Sequence, residues 1–369
     1  MLDDKVYKKR MKLVAEELGR MNVDFAFVAP SPAFQYLTGI RREASERLIA
    51  LIIIPDSNPR IVAPAFEVST LTQHTWINDF VAWAEDQDPY KVLVETAGIS
   101  TAQPSVAFED TTSLGVYRLL KESFGRFESI STLTPFINGL RQLKSEEELS
   151  LMEKAGHIIN DAVLAAFEST QLGMSELQLQ RIVNDAIVQA GATPTFAAIQ
   201  FGENSALPHA TAGNRELKKN DIILMDCGCT LGGYNTDMTR VGVVGPPTDE
   251  QRKIHSIVLE AEKTAISKIE PGLACGAADG IARRVIEEAG YGEYFTHRLG
   301  HGIGLEVHEQ PYLVRGNSQL LESGMTHSVE PGIYLEGKFG IRIEDLVCVR
   351  SGGAELLTFM PRDLFIVDL

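Results

Sequence analysis

Apolar residues in the first 135 positions form short runs separated by amphipathic stretches. The runs VDFAFVA, RLIALIIIP, PRIVAP and SVAFE predict strands, and the patterns at residues 3–20, 67–75, 88–97 and 112–123 predict helices. We interpret SPAFQYLTG as a loop and turn. Strands alternating with covering helices are typical of α/β domains. A length of 369 residues suits two domains, which we place at residues 1–135 and 136–369.

Helix-capping signals organise the second half. Ser145 with Glu148, Ser175 with Gln178, and Thr248 with Gln251 each have the spacing of a capping box. They predict a helix over about residues 146–169, a second that stops at Gly191, and a third that is closed by Pro271-Gly272. A fourth helix is expected over about residues 276–289, ending before Gly290.

Each pair of helices is followed by a predicted hairpin that carries two acids. Asp226 and Asp237 flank a turn at Leu231-Gly232, and Glu330 and Glu344 are symmetric about Gly337. Both pairs should therefore face each other across their hairpins. The corresponding acids are separated by 330 − 226 = 104 and 344 − 237 = 107 residues. This order indicates an internal duplication about a pseudo-two-fold axis, with a curved antiparallel sheet and helices outside.

These four carboxylates and His301 form a candidate metal site. Four carboxylates directed at one point repel each other and could not all stay ionised without a compensating charge. Divalent cations supply that charge, and an oxygen-rich set with one imidazole suits manganese, magnesium, cobalt or zinc. Five ligands are too many for one catalytic zinc, so we expect two metals about 3.5–4 Å apart. The simpler interpretation, acids on a solvated strand face, fits poorly because the acids lie in strands that otherwise have the pattern of buried ones.

Histidines cluster near the same segments. His301, between two glycines, is the best ligand, and His209 and His308 suit proton donation or polarisation of a carbonyl group. His297 precedes His301 by four residues and should support it. His327 is set aside because its odd spacing from Glu330 should turn it to the other face.

The net charge and the cysteines indicate which partners and which cellular compartment suit the protein. With 34 basic and 50 acidic residues the net charge is −16, which disfavours nucleic acid and anionic membranes as partners. No apolar segment typical of a secretion signal opens the chain, and the scattered cysteines suit a reducing cytoplasm. Cys227 and Cys229 should be buried thiols facing away from Asp226.

The segments PHA, DCG, YNTDMTR, GHGIGLEVHE, SVEPGIY and GIRIED, in this order, resemble the pita-bread metallopeptidases of the Xaa-Pro branch, prolidase and aminopeptidase P. The resemblance implies a small α/β amino-terminal domain that caps a carboxy-terminal domain of duplicated ααββ units. It also implies a homodimer and two divalent metal ions per chain, manganese being expected and cobalt or zinc being the alternatives. The implied metal ligands are Asp226, Asp237, His301, Glu330 and Glu344.

The resemblance also implies roles around the metals. Glu330 would double as general base, His209 and His308 would contact substrate, and His297, Tyr334 and Arg342 would form the outer part of the site. The expected activity is hydrolysis of Xaa-Pro dipeptides. Aminopeptidase action on longer peptides, creatinase-like hydrolysis of another amide and an inert scaffold are the alternatives.

A dipeptidase should bind the free carboxylate of its substrate with a cation. Arg342 is the first candidate, and Arg41, Arg42 or Arg47 of the amino-terminal domain is the second. Solvated loop charges are an equally good interpretation of Arg41 and Arg42.

Overall fold

A computed structural model describes residues 2–96, 98–99, 101–208 and 210–368. The chain divides into two compact units, Met1–Arg141 and Gln142–Leu369. The predicted domain boundary at residue 135 lies inside helix α6, Thr134–Gln142.

The first unit is a mixed sheet with helices. Its elements are α1 Asp4–Met21, β1 Phe25–Val28, α2 Pro32–Thr38, β2 Ala50–Ile53, β3 Arg60–Pro64, α3 Val68–Leu71, β4 Phe80–Trp83, α4 Pro89–Thr96, β5 Ser105–Phe108, α5 Leu114–Phe124, β6 Ser129–Thr132 and α6. The strand order is β4-β3-β2-β1-β5-β6, in which β2 runs antiparallel to both of its neighbours and the other pairs are parallel. Strands β4 and β6 were not predicted.

The interpretation of SPAFQYLTG as a loop is wrong, because this segment contains α2. The Ser31 hydroxyl accepts a hydrogen bond from the backbone N–H of Phe34 at 3.2 Å, and Pro32 occupies the first helical turn. Gly39 ends the helix in the left-handed region with φ 85°. A serine cap, an early proline and a closing glycine are the ordinary signals of a short helix.

The second unit begins with two helices and ends with a series of strands. Its elements are α7 Glu146–Ser169, α8 Glu176–Gln189, β7 Thr193–Phe201, β8 Ile222–Leu231, β9 Tyr234–Val244, α9 Asp249–Ile266, α10 Cys275–Glu288, β10 Gly300–Gly302, β11 Glu309–Leu313, β12 Thr326–Val329, β13 Gly332–Leu335, β14 Phe339–Arg342, β15 Asp345–Arg350, β16 Gly353–Leu356 and β17 Phe365–Val367. The three predicted capping boxes are present at the starts of α7, α8 and α9. Strand β7 was not predicted.

The second unit contains two sheets that meet at the site, and the last strand, β17, returns to the sheet formed by β7–β9. Their strand orders are β17-β9-β8-β7 and β11-β10-β12-β15-β16, with β13-β14 as a separate ribbon. The pairs are antiparallel except that β17 runs parallel to β9. The two sheets join where the backbone N–H of Glu344 donates to the carbonyl of Thr239 at 3.2 Å.

One apolar core lies under each pair of helices. Side chains of α7, α8 and β7–β9 form the first core, and side chains of α9, α10, the later strands and the other face of β8 and β9 form the second. Cys227 and Cys229 are buried in the first core, which confirms that their thiols turn away from the Asp226 face. Burial raises the pKa of Cys229 to about 12, so the thiol stays neutral.

Across the described ranges, no helix has both the length and the apolar run required to cross a bilayer.

Candidate metal centre and active site

The first acid-bearing hairpin differs from its predicted register. Its turn is Gly232-Gly233, with φ values of 59° and 93°, one residue later than expected. Asp226 therefore pairs with Thr239, and Asp237 pairs with Gly228. The two acids are diagonal neighbours rather than direct partners, but they remain on one face because positions 226 and 228 share it. Two glycines with positive φ suit the tight hairpin turn that sets this register.

The second hairpin has the predicted register. Strands β13 and β14 pair symmetrically about Gly337, with Gly332 opposite Arg342. Glu330 lies just after β12, and Glu344 forms the bridge to Thr239 just beyond β14. Both acids thus project from the ends of strands rather than from within them.

The side chains of Asp237, His301 and Glu344 converge. One potential ligand atom from each lies within 4.8 Å of the others. His301 Nε2 lies 3.4 Å from Glu330 Oε1 and 3.8 Å from Asp237 Oδ2. His301 Nδ1 is 3.1 Å from the carbonyl of Gly302, which can only accept, so Nδ1 carries the proton. The lone pair of Nε2 is therefore directed at the carboxylates, as metal coordination requires.

Three carboxylate oxygens in this cluster are buried without a hydrogen-bond partner among the described residues. They are Asp226 Oδ1, Asp237 Oδ1 and Glu344 Oε1. Buried oxygens of this kind are costly unless a hydrogen bond or a cation satisfies them. Hard divalent cations bind carboxylate oxygens and imidazole, so the donor set fits such ions.

Arg342 supplies one positive charge to the same cluster. Its Nη2 lies 2.6 Å from Asp226 Oδ2, its Nε donates to the Thr239 hydroxyl at 3.1 Å, and its Nη1 donates to the Tyr334 hydroxyl at 2.9 Å. The side chain is only 4% exposed, so these contacts are shielded from water. The guanidinium thus faces the protein carboxylates rather than open solvent.

The Tyr334 hydroxyl, which accepts from Arg342, also forms a hydrogen bond with His297. His297 Nδ1 is 2.8 Å from the carbonyl of Arg298 and must donate to it, which leaves Nε2 as an acceptor. The Tyr334 hydroxyl, 2.8 Å from that Nε2, donates to it. The order Arg342, Tyr334, His297 is therefore a directed chain of hydrogen bonds that orients the outer part of the site.

Burial and mutual repulsion perturb the acids in the metal-free chain. Burial, and to a lesser extent the negative charge of Glu344, raises the pKa of Asp237 well above its usual range. Burial, followed by the charge of Glu330, does the same for Glu344. Burial raises the pKa of Glu330 to about 7. Burial, followed by the charge of His308, lowers the pKa of His301 to about 3, so its imidazole is neutral. The acids cannot all ionise until cations compensate them.

A cavity of about 600 Å³ opens onto these residues. The His308 ring lies beside that of His301, with the ring centroids 4.2 Å apart. His209 lies outside the described residues. The cavity is lined by Phe196, Ala198, Pro208, Ala210, Thr211, Asp226, Asp237, His297, Arg298, His301, Val307, His308, Glu330, Arg342 and Glu344.

Sequence reasoning missed three polar residues of the site. The Thr239 hydroxyl donates to Glu344 Oε2 at 2.7 Å, and the Ser328 hydroxyl donates to Glu330 Oε1 at 3.1 Å. Each lies two positions from an acid, so period-two alternation could have found them. Arg298 lines the cavity with its guanidinium 4.3 Å from the ring centroid of Tyr312, and no spacing rule indicated it.

Family models assign both parts of the chain. Residues 150–351 match metallopeptidase family M24, and residues 10–143 match the creatinase/prolidase N-terminal domain. The chain belongs to metallopeptidase family M24 and is a metal-dependent peptidase. The predicted two-domain fold class is confirmed.

Individual relatives agree with this assignment. The chain is 34% identical to the Xaa-Pro dipeptidase of Lactobacillus helveticus, over 94% of this chain and 96% of that protein. It superimposes on a prolidase from Thermococcus sibiricus with a TM-score of 0.91 and 34% identity, covering 99% and 100% of the two chains. It also superimposes on an X-Pro aminopeptidase from Thermotoga maritima with a TM-score of 0.87 and 30% identity, covering 97% and 99%.

Proposed function

We propose that this protein hydrolyses Xaa-Pro dipeptides with two divalent cations held by Asp226, Asp237, His301, Glu330 and Glu344. The observation that carries the proposal is the set of three unpartnered carboxylate oxygens, from Asp226, Asp237 and Glu344, in the cavity that His301 also lines. The similarity to the Lactobacillus helveticus dipeptidase and the Thermococcus sibiricus prolidase supports the substrate class. Manganese is the preferred ion, with cobalt or zinc as alternatives, because oxygen ligands predominate.

When bound, such cations lower the pKa of a coordinated water and stabilise negative charge on a carbonyl oxygen. The protein supplies the proton transfers. Glu330 is the proposed general base, because its carboxylate lines the cavity with Oε1 3.4 Å from His301 Nε2. The Ser328 hydroxyl holds one of its oxygens at 3.1 Å and so fixes the orientation of the carboxylate.

His308 and His209 are proposed to act on the substrate. His301 cannot donate into the site, because its protonated Nδ1 is turned to the carbonyl of Gly302. His308, on the cavity wall beside it, is the nearest described imidazole that is not assigned as a ligand. It is suited to protonating the proline nitrogen, which leaves as a secondary amine and must gain a proton.

Arg298 is our preferred ligand for the free carboxylate of a dipeptide. Arg342 is already engaged with Asp226, Thr239 and Tyr334. In the first unit, Arg42 Nη2 donates to Glu67 Oε1 at 2.9 Å and Arg47 Nε donates to Glu85 Oε1 at 2.9 Å. Arg298 lines the cavity and its guanidinium is stacked on the Tyr312 ring. Stacking uses the face of the guanidinium, so the N–H groups along its edge can still bind a carboxylate.

The test compares Ala-Pro, Ala-Pro amide, a tripeptide Ala-Pro-Ala and creatine, each with manganese-loaded protein. A dipeptidase should prefer the free acid to the amide by roughly 10- to 100-fold in kcat/KM, because the amide loses a charge-assisted contact of about 1.5–3 kcal/mol. Equal rates on acid, amide and tripeptide would favour the aminopeptidase alternative, which the Thermotoga maritima similarity keeps open. Turnover of creatine alone would reject the peptidase proposal.

We further propose a cytoplasmic homodimer. All four cysteines are free and buried, which suits a reducing compartment. The dimer follows from the family resemblance, and sedimentation equilibrium of the manganese-loaded protein tests it.

A further inference from the structure

A buried ion pair lies behind the histidine loop of the active site. Lys144 Nζ is 2.6 Å from Glu309 Oε1, and the two side chains are 1% and 7% exposed. Lys144 immediately precedes the capping box of α7, and its backbone N–H donates to the carbonyl of Gly324 at 2.9 Å. Desolvating two charges is expensive, so a pair of this kind contributes little net stability. This favours a role in specifying local geometry.

The pair packs against the loop that carries His308. Residues 303–308 connect β10 to β11, and the loop is closed at its base by the pairing of Gly302 with Glu309. A Cβ placed on Gly304 would lie 2.7 Å from Glu309 Oε1 and 2.9 Å from Lys144 Cε. The ion pair therefore touches the loop backbone directly, and glycine is required there for the close approach.

The start of the loop has its own anchors. Both the backbone N–H and the side-chain amide of Asn235 donate to the carbonyl of Gly304, at 2.8 and 3.0 Å. The Thr326 hydroxyl donates to the carbonyl of Ile303 at 2.6 Å. These contacts hold Ile303 and Gly304, and the Lys144–Glu309 pair holds the return of the chain directly after His308.

His327 is a second buried group beside this pair. Its Nδ1 is 2.9 Å from the carbonyl of Ser328 and must donate to it, so Nε2 is an acceptor. That Nε2 is buried without a hydrogen-bond partner among the described residues. Burial and the charge of Lys144 lower the pKa of His327 to about 4, which keeps the ring neutral.

We propose that Lys144 and Glu309 are a positioning pair that fixes the 303–308 loop and so keeps the His308 imidazole beside His301. The kinetic consequence rests on the proposed role of His308 in proton transfer. The structural consequence does not, because the loop position can be measured without turnover.

The test uses Lys144→Met, with amide hydrogen exchange of the manganese-loaded protein as the first readout. We expect exchange in peptides covering residues 303–309 to accelerate at least about tenfold, with β8 and α8 unchanged. In parallel, kcat on Ala-Pro should fall roughly 10- to 100-fold with a smaller change in KM and normal manganese content, because misplacing a catalytic group mainly costs rate. Unchanged loop exchange, or metal loss in proportion to lost turnover, would overturn the proposal.

Two further variants separate positioning from stability. Lys144→Met alone leaves the buried Glu309 charge uncompensated and should lower the Tm. Lys144→Met/Glu309→Met removes both charges at similar volume, so its Tm should return towards that of the wild type, while the loop stays mobile and kcat stays low. Recovery of wild-type exchange and kcat in this double variant would show that the pair only balances charge and would overturn the proposal. If Lys144→Met does not fold, Glu309→Gln, which keeps the shape and removes the charge, is measured instead with the same expectations.

Arg350→Met is the matched control. Arg350 holds the same end of α7 through Glu146, with Nη1 2.6 Å from Oε1, but this contact involves no residue of the loop. We expect wild-type loop exchange and kcat, and an effect equal to that of Lys144→Met would overturn the proposal. If the wild-type protein cleaves no Xaa-Pro substrate, the proposed function fails, yet the exchange data still decide whether the pair positions the loop.

Discussion

Removing the metals should make the stability of the protein depend on pH in a direction opposite to ordinary acid denaturation. Burial raises the pKa of Glu330 from 4.5 to about 7 in the metal-free chain, against the lowering effect of Arg342. Between those values the folded chain keeps a proton that the unfolded chain has lost. The contribution of Glu330 to the free energy of unfolding is therefore greatest below about pH 4.5, and it falls as the pH rises to about 7.

The magnitude follows from the shift of the pKa. A rise from 4.5 to about 7 spans about 2.5 pH units, and each unit corresponds to about 1.36 kcal/mol, so Glu330 alone removes about 3 kcal/mol across this window. Asp237 and Glu344, whose pKa values burial also raises, act in the same direction. Bound cations compensate the ionised acids, so metal-loaded protein should not show this loss.

The assay is thermal unfolding of chelated and manganese-loaded protein between pH 5 and about 7.5. The Tm of the chelated protein should fall by roughly 5–10 °C across the window while the loaded protein stays nearly level. Glu330→Gln in the chelated state should show a shallower fall, because it lacks one of the buried carboxyl groups whose ionisation lowers the stability. A chelated protein whose Tm is flat or rises with pH would refute the reasoning from buried acids.

Three further outcomes test the site. Asp237→Ala and Glu344→Ala should abolish turnover while circular dichroism stays native, since each would remove a carboxylate that is proposed to hold the metals. His301→Ala should lose metal by elemental analysis, whereas His308→Ala should keep it and lose roughly 10²-fold in kcat; the reverse pattern would exchange their roles. Tyr334→Phe should lower kcat without metal loss, because it interrupts the hydrogen bonds from Arg342 to His297. An unchanged kcat and pH–rate profile would show that these hydrogen bonds do not contribute to catalysis.

Local signals predicted the helix starts and the second hairpin of the second unit. The boxes at Ser145, Ser175 and Thr248 depend on contacts three residues apart, so sequence spacing alone locates the helix starts. The symmetry of Glu330 and Glu344 about Gly337 is equally local, because a tight turn sets the register of its own hairpin. The same kind of local signal, at Ser31, Pro32 and Gly39, marks the two ends of α2.

Contacts between distant segments could not be predicted in the same way. The ion pair of Arg342 with Asp226 joins residues 116 positions apart, and that of Lys144 with Glu309 joins residues 165 positions apart. No periodicity connects such positions, because the fold as a whole brings them together. The edge strand β6 could not be predicted for a different reason, since its residues are largely exposed and it lacks the apolar run that marks a buried strand.

The Gly232-Gly233 turn sets the register of β9 against β8, so the number of residues in this turn decides which side chains of β9 face the site. Side chains alternate along β9, so Asp237 faces the site while Met238 is buried in the apolar core. Shifting the register of β9 by one residue against β8 would exchange them, placing a carboxylate among apolar side chains and a thioether among the acids. Most surface loops tolerate insertions and deletions. A one-residue insertion or deletion here that β9 takes up as a shift of register would remove Asp237 from the site, with the same loss of turnover as we expect for Asp237→Ala.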